Sequence, residues 1–287
     1  MTIHHSPLTK APASSWFIFP HYTSPRYHKF AFHYLAMNKI ILITGATSGF
    51  GKAIAEKFAA GGWDCIITGR RADRLGLLAS SLQTQYGVQV LPLVFDVQKR
   101  EEVFAVLEKL PEQWRNIDVL VNNAGLALGR DSFENANLDD WDTMIDTNVK
   151  GVMYVTKAVL PYMTARKKGH IINMGSVAAK LVYKEGNGYC ASKHALDALS
   201  KAMRIDLLPQ RIKVTAIHPG AAETEFSMVR FKGDETKAKQ VYDGFTPLYA
   251  EDIADIAFYC ASLPENVCIN DLTVSSISQA DGVYIHK

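Results

Sequence analysis

The chain has 287 residues, 48% of them hydrophobic and 21% charged, with a formal net charge of +2. That composition is ordinary for a globular protein, and neither the net charge nor any basic run argues for a nucleic-acid partner. No apolar stretch approaches the roughly 18–20 residues needed to cross a bilayer, so no membrane partner is expected.

Residues 1–36 read differently from the rest. They hold no Asp or Glu, five of the nine histidines and several prolines, without a period that would bury one face. Transit peptides are acid-poor and basic, but here only Lys10, Arg26 and Lys29 are basic, and the aromatics and prolines spoil an amphipathic helix. The segment reads as a disordered extension, or as residues upstream of a natural start at Met37. The fold is assigned to residues 37–287.

From Met37 onward, short β-branched runs alternate with longer helical stretches. Lys39–Thr44 reads as a buried strand, followed by glycines and a helix over Lys52–Ala60. Cys65–Thr68 is a second strand and Ala72–Tyr86 a second helix; Val90–Phe95 and Val119–Val121 continue the strands, with a helix over Arg100–Leu110 between them. A long helical stretch, roughly Asp140–Arg166, leads into the strand His170–Met174, then a helix over Tyr189–Leu208 and the strand Lys213–Ile217. Near-continuous apolar strands separated by helices predict a parallel sheet covered on both faces. Right-handed crossovers make it a single doubly wound α/β (Rossmann) sheet, which binds ligands at the carboxyl ends of its strands. No linker or repeat interrupts it, so one domain is expected. Cys65, Cys190, Cys260 and Cys268 lack zinc spacing, and Cys260 and Cys268 read as buried free thiols rather than a disulfide. A reduced, cytoplasmic setting follows.

The first strand runs into Thr44-Gly45-Ala46-Thr47-Ser48-Gly49-Phe50-Gly51. Glycines let a backbone turn tightly and approach a pyrophosphate held at a helix N-terminus. A glycine turn alone is a weak signal; between a strong strand and a helix in a β-α series it predicts dinucleotide binding by Gly45, Thr47, Ser48, Gly49 and Phe50. The second strand selects the dinucleotide. Enzymes that use NAD usually carry an acidic residue at its end, whereas this chain reads Thr68-Gly69-Arg70-Arg71. A guanidinium grips a phosphate through bidentate, charge-assisted bonds, so Arg70 and Arg71 predict NADP as cofactor.

Tyr189-Cys190-Ala191-Ser192-Lys193 puts a tyrosine and a lysine at i, i+4 on one helical face. A free phenol, with a pKa near 10, is a poor proton shuttle at neutral pH. An adjacent ammonium is expected to lower that value into a useful range. Ser176, at the end of the preceding strand, is placed to face the same pocket.

With these residues the chain resembles the short-chain dehydrogenase/reductase family, from Met37 to about Phe231 and onward to the end. The motifs are Thr44-Gly45-x-x-x-Gly49-x-Gly51, Asp96, Asn122-Asn123-Ala124-Gly125, Asn148, Ser176, Tyr189-x-x-x-Lys193 and Pro219-Gly220. The resemblance implies that Tyr189 gives or takes the substrate proton and that Lys193 holds the nicotinamide ribose. It implies that Ser176 bonds the substrate oxygen and that Asn148 holds a water in a proton relay. Asp96 and Val97 would contact the adenine, Asn123 the adenosine ribose, and Pro219, Gly220 and Thr224 would border the nicotinamide. Taken alone, Asp96 also reads as a helix N-cap and Asn148 as a mid-helix polar residue. No metal is implied, and no ligand cluster is visible in the sequence.

Gly69-Arg70-Arg71, Asp146-Thr-Asn148 and Glu223–Gly233 further resemble the NADP-dependent serine and 3-hydroxy acid dehydrogenase branch. That implies a short 3-hydroxy acid of the serine, allo-threonine or 3-hydroxypropionate type as small-molecule substrate, and a homotetramer in which Val267–Lys287 packs at an interface. Arg230 and Lys232 are the candidates to meet the substrate carboxylate, or are a solvated pair on a lid. Two other readings stay open: a broad carbonyl reductase of uncharged ketones, and a non-catalytic NADP-binding regulator.

Overall fold

Ile40–Ile43 is β1, four aliphatic residues with every side chain buried. Successive strand residues point to opposite faces, so full burial on both requires a covered sheet. The computed structural model describes residues 38–287. The expected extension at 1–36 lies outside the described residues.

After β1 come α1 (Gly49–Ala60), β2 (Asp64–Gly69), α2 (Ala72–Tyr86), β3 (Val90–Val94), α3 (Arg100–Leu107) and β4 (Ile117–Asn122). Next are α4 (Leu138–Ile145), α5 (Val152–Thr164), β5 (Gly169–Met174), α6 (Asn187–Asp206) and β6 (Ile212–Pro219). Three helices, α7 (Phe226–Arg230), α8 (Glu235–Gln240) and α9 (Ala250–Ser262), precede β7 (Asp271–Val274). The sheet order is β3-β2-β1-β4-β5-β6-β7, and every neighbouring pair is parallel. The predicted doubly wound α/β sheet is therefore the observed one. Its order reverses between β1 and β4, which opens a crevice at their carboxyl ends.

Alternation along β1 divides the core. Ile41 and Ile43 pack with Ile54 and Phe58 of α1, Leu75 of α2 and Ile253 of α9. Ile40 and Leu42 pack on the other face with Val103 and Leu107 of α3 and Val155 and Val159 of α5. Each such aliphatic side chain, wholly removed from water, contributes about 1.5–3 kcal/mol. Pro92 lies within β3, opposite Ile67 of β2. Proline cannot donate to a ladder, and it is tolerated here because β3 is an edge strand.

Two differences from the sequence reading bear on the site. The stretch expected as one helix over Asp140–Arg166 is α4 and α5 joined by a π-helical turn, Asp146–Gly151. Beyond Ile217, where periodicity assigned nothing, the chain adds α7, α8, α9 and β7. Among the described residues, no helix is long and apolar enough to cross a membrane.

Candidate active site

The turn out of β1 is built by close backbone approach. Thr44 Oγ1 donates to the Val121 carbonyl (3.4 Å) and accepts the N–H groups of Asn123 and Ala124 (3.0 Å each). Gly45 has φ +66°, and a Cβ there would come within 2.9 Å of Ala124 Cα. A Cβ on Gly51 would run into the Gly45 carbonyl oxygen and the Asn123 amide. Asn123, expected beside a ribose, spends its Nδ2 on the carbonyls of Thr44 (2.9 Å) and Gly45 (3.1 Å). It secures the turn from beneath.

A cleft of about 750 Å³ opens above this turn, at the carboxyl ends of the strands. Each residue expected at the cofactor or the reacting centre lines it, with the exception of Asn148. Asn148 is buried in the π-helical turn. Its Nδ2 donates to the Leu126 carbonyl (2.8 Å) and Ser192 Oγ (3.0 Å), while its Oδ1 accepts the Leu126 N–H (2.9 Å). That side chain clasps the loop after β4.

One end of the cleft is cationic. Arg71 donates to Thr47 Oγ1 (2.7 and 3.2 Å) and Ser48 Oγ (3.2 Å). Glu225 lies 3.5 Å from Arg71 and 3.1 Å from Arg74. Arg70 lies 3.7 Å from Asp96 Oδ2, and Asp96 Oδ1 accepts the Gln98 N–H (3.0 Å). Asp96 thus has both a turn-forming and a cleft-facing oxygen. Glu225, next to Thr224, was not singled out from sequence; no spacing tied it to an arginine pair more than 150 positions earlier.

At the other end, Ser176 follows β5, and its Oγ accepts the Ala178 N–H (3.1 Å). Tyr189 and Lys193 project from α6, both buried. Lys193 Nζ donates to the Met174 carbonyl (2.8 Å) and lies 5.9 Å from the centre of the Tyr189 ring. Burial pushes the Tyr189 phenol above its ordinary range, with Ser176 and Arg230 acting in the opposite direction. Burial also draws the Lys193 pKa down to about 8. From sequence, Lys193 is expected to lower the phenol's pKa; burial is the leading influence on both groups, raising the phenol and lowering the ammonium.

The nearer permanent cation is Arg230 of α7. Its guanidinium lies 5.5 Å from the centre of the Tyr189 ring and 5.7 Å from that of Tyr183. Arg230 Nη2 donates to the Tyr183 hydroxyl (3.2 Å), while its Nε is buried without a partner. Lys232, the other candidate for a substrate acid group, pairs with Asp140 at 2.8 Å. The sequence left these two cations unresolved; the α7 geometry separates them. Tyr183 and Gln279 are further lining residues that sequence reasoning missed. Gln279 Oε1 accepts the Ala221 N–H (2.8 Å) and lies against Gly220, beside Pro219 at the end of β6.

Comparison with known proteins agrees with this architecture. An NADP-dependent 3-hydroxy acid dehydrogenase, YdfG, of Salmonella typhi is 46% identical over 250 residues, covering 86% of this chain and 99% of that protein. Sulfoacetaldehyde reductase 2 of Chromohalobacter salexigens is 46% identical over 245 residues, covering 85% and 96%. The closed form of a serine dehydrogenase complexed with NADP+ superposes with a TM-score of 0.81 at 43% identity, over 86% of this chain and 99% of that one. The model of the short chain dehydrogenase family matches residues 39–235. With that match spanning the glycine turn, the Tyr189–Lys193 helix and the strands between them, the chain belongs to the short-chain dehydrogenase family, enzymes that act on hydroxyl-bearing carbons.

Proposed function

We propose that this enzyme interconverts a short 3-hydroxy acid and its 3-oxo acid, using NADP and Tyr189 as acid and base. The observation that carries the substrate class is the Arg230 guanidinium, which lines the cleft beside Tyr189. A guanidinium at a partly dry cleft takes a carboxylate through charge-assisted bonds. The relatives named above act on 3-hydroxy acids and on sulfoacetaldehyde, molecules that carry an acid group.

The residues present fit the cofactor. Cβ atoms at Gly45 and Gly51 would strike Ala124, the Gly45 carbonyl and Asn123, so glycine permits the tight turn that sets Ser48, Gly49 and Phe50, at the N-terminus of α1, along the cleft. Gly45, Thr47, Ser48, Gly49 and Phe50 would hold the pyrophosphate, and Arg70 and Arg71 the 2′-phosphate. Asp96, Val97 and Asn123 would flank the adenosine, while Pro219, Gly220 and Thr224 would border the nicotinamide. When bound, NADP(H) supplies or accepts the hydride at the substrate carbon.

The chain's own groups handle the proton and the oxygen. Ser176 Oγ already accepts one N–H, which leaves its O–H to donate to the substrate oxygen. In reduction the Tyr189 hydroxyl gives its proton to that oxygen; in oxidation the phenolate takes it back. Lys193, anchored on the Met174 carbonyl, would hold the nicotinamide ribose. Arg230 holds the substrate acid group and offsets the charge of the phenolate.

Two measurements test this reading. Tyr189→Phe should lower kcat about 100- to 10,000-fold while NADPH binding persists. Wild-type enzyme should oxidise 3-hydroxypropionate or serine well ahead of an uncharged secondary alcohol of the same length. Equal turnover of the two would overturn the acid-substrate reading. We further propose a reduced, cytoplasmic setting, supported by four free cysteines. A homotetramer is proposed as well, supported by exposed Ile277, Val283 and Tyr284 in the closing segment; sedimentation velocity checks it.

A further inference from the structure

The carboxyl end of β6 carries a histidine that the reaction outlined above does not use. His218 is fully buried. A Cβ on Gly175 would run into its ring, so the imidazole packs directly beneath the chain that leads into Ser176. His218 Nδ1 lies 3.4 Å from the Ser176 nitrogen and 3.2 Å from the Ser176 carbonyl oxygen. Nε2 lies 3.2 Å from Asp271 Oδ2 and 3.5 Å from Asp197 Oδ1.

Two carboxylate oxygens at Nε2 require the proton there. Lys180 Nζ bridges the same carboxylates, at 3.1 Å from Asp197 and 2.8 Å from Asp271, and Lys201 takes the other Asp197 oxygen at 2.7 Å. Two ammonium and two carboxylate groups balance, so a second proton on the ring would be uncompensated. Burial and Lys180 accordingly hold the His218 pKa below its ordinary value. Asp197, His218 and Asp271 approach closely enough to suggest metal ligands. Lys180 already supplies the positive charge between the two carboxylates, and no metal site is assigned.

A neutral ring protonated on Nε2 has a lone pair at Nδ1; in that tautomer it accepts the Ser176 N–H at 3.4 Å, and the Ser176 carbonyl at 3.2 Å makes no hydrogen bond to the ring. Ser176 is then held twice, by its N–H on His218 and by its Oγ, which accepts from Ala178 at the start of the 3₁₀ turn Val177–Ala179. We infer that His218 is a positioning residue for the reaction: by accepting the Ser176 N–H it sets the direction in which the Ser176 hydroxyl meets the substrate oxygen. This rests on the proposed role of Ser176. The effect is of the kind in which a shift of an ångström in a reacting group costs about 100-fold.

A double-mutant cycle on the full chain, assayed with NADP+ and 3-hydroxypropionate, tests the inference. His218→Gln keeps an amide near the Nε2 position but has no acceptor at Nδ1, and should lower kcat about 10- to 100-fold. Its KM for NADP+ and its melting temperature should stay near wild type. His218→Asn, whose amide oxygen stands near Nδ1, should retain more of kcat than His218→Gln. In a Ser176→Ala background, His218→Gln should cause no further loss, because the group it positions is gone. A full additional loss in that background would assign His218 a general structural role and overturn the inference. So would equal kcat for the Gln and Asn variants. If Ser176→Ala alone turned over like wild type, the role of Ser176 would fall first and the inference with it.

Discussion

The Arg230 guanidinium lies 5.5 Å from the centre of the Tyr189 ring, closer than the Lys193 ammonium at 5.9 Å, and it is the cation that lowers the phenol's pKa against burial. Arginine keeps its charge when buried, whereas burial draws Lys193 towards neutrality. One residue thus faces both the proton-transfer group and the expected substrate acid group. Arg230→Met should raise KM for a 3-hydroxy acid about 10- to 100-fold, the equivalent of a lost charge-assisted bond of about 1.5–3 kcal/mol. The sign of the pH effect follows from the charge. The guanidinium favours the phenolate, so its removal raises the Tyr189 pKa. The limb of the oxidation profile that climbs with pH should then move to higher pH. Initial rates across pH, with saturating NADP+, read both effects; an unshifted limb would exclude Arg230 from proton transfer.

Arg71 is already oriented by hydroxyl groups of the glycine turn, through Thr47 and Ser48. Such preorganisation reduces the entropy lost when a phosphate is gripped. Arg71→Ala should therefore raise KM for NADP+ by about 10- to 100-fold and leave KM for NAD+ nearly unchanged. Glu225, which shares Arg71 and Arg74, places a carboxylate near the same cations. Glu225→Gln removes that competition and should shift KM for NADP+ in the opposite direction, by a smaller factor. Steady-state kinetics with both nucleotides distinguish a 2′-phosphate contact from general damage, which would weaken both.

Most of the sheet was legible because its strands are short β-branched runs whose burial on both faces permits no other use. The glycine turn was legible for the same reason: Gly45 has positive φ, and at Gly51 a side chain would strike backbone. The π-helical turn at Asp146–Gly151 was not, since one extra residue per turn barely perturbs a helical period. Nor was the His218 cluster. Its members lie on β6, α6, β7 and the turn after β5, and only the parallel pairing of β6 with β7 sets Thr273 beside His218, with Asp271 two residues away. Tyr189 and Lys193 were found as a pair by spacing, yet spacing says nothing about desolvation. The burial of both groups is visible only in the fold.

His170 of β5 provides a separate test of the fold. It is buried, and its Nε2 lies 2.7 Å from Thr215 Oγ1. Thr215 donates its own proton to the Ile269 carbonyl (2.6 Å), so the Nε2–H must be the donor to Thr215. A second proton would go to Nδ1, which is buried without a partner. Burial, aided by Lys213, depresses the His170 pKa to about 3. For a base with a depressed folded-state value, the unfolded chain binds more protons between that value and the ordinary one near 6.5. Stability from this group is complete above pH 6.5 and declines as pH falls, by about 1.4 kcal/mol per pH unit until about pH 3. Between pH 6.5 and 4.5 the loss should reach about 2–3 kcal/mol. His170→Leu should remove one proton's worth of that slope, whatever its effect on stability at pH 7. Urea denaturation across this pH range measures the slope directly; parallel lines for wild type and variant would show that His170 does not titrate as its surroundings require.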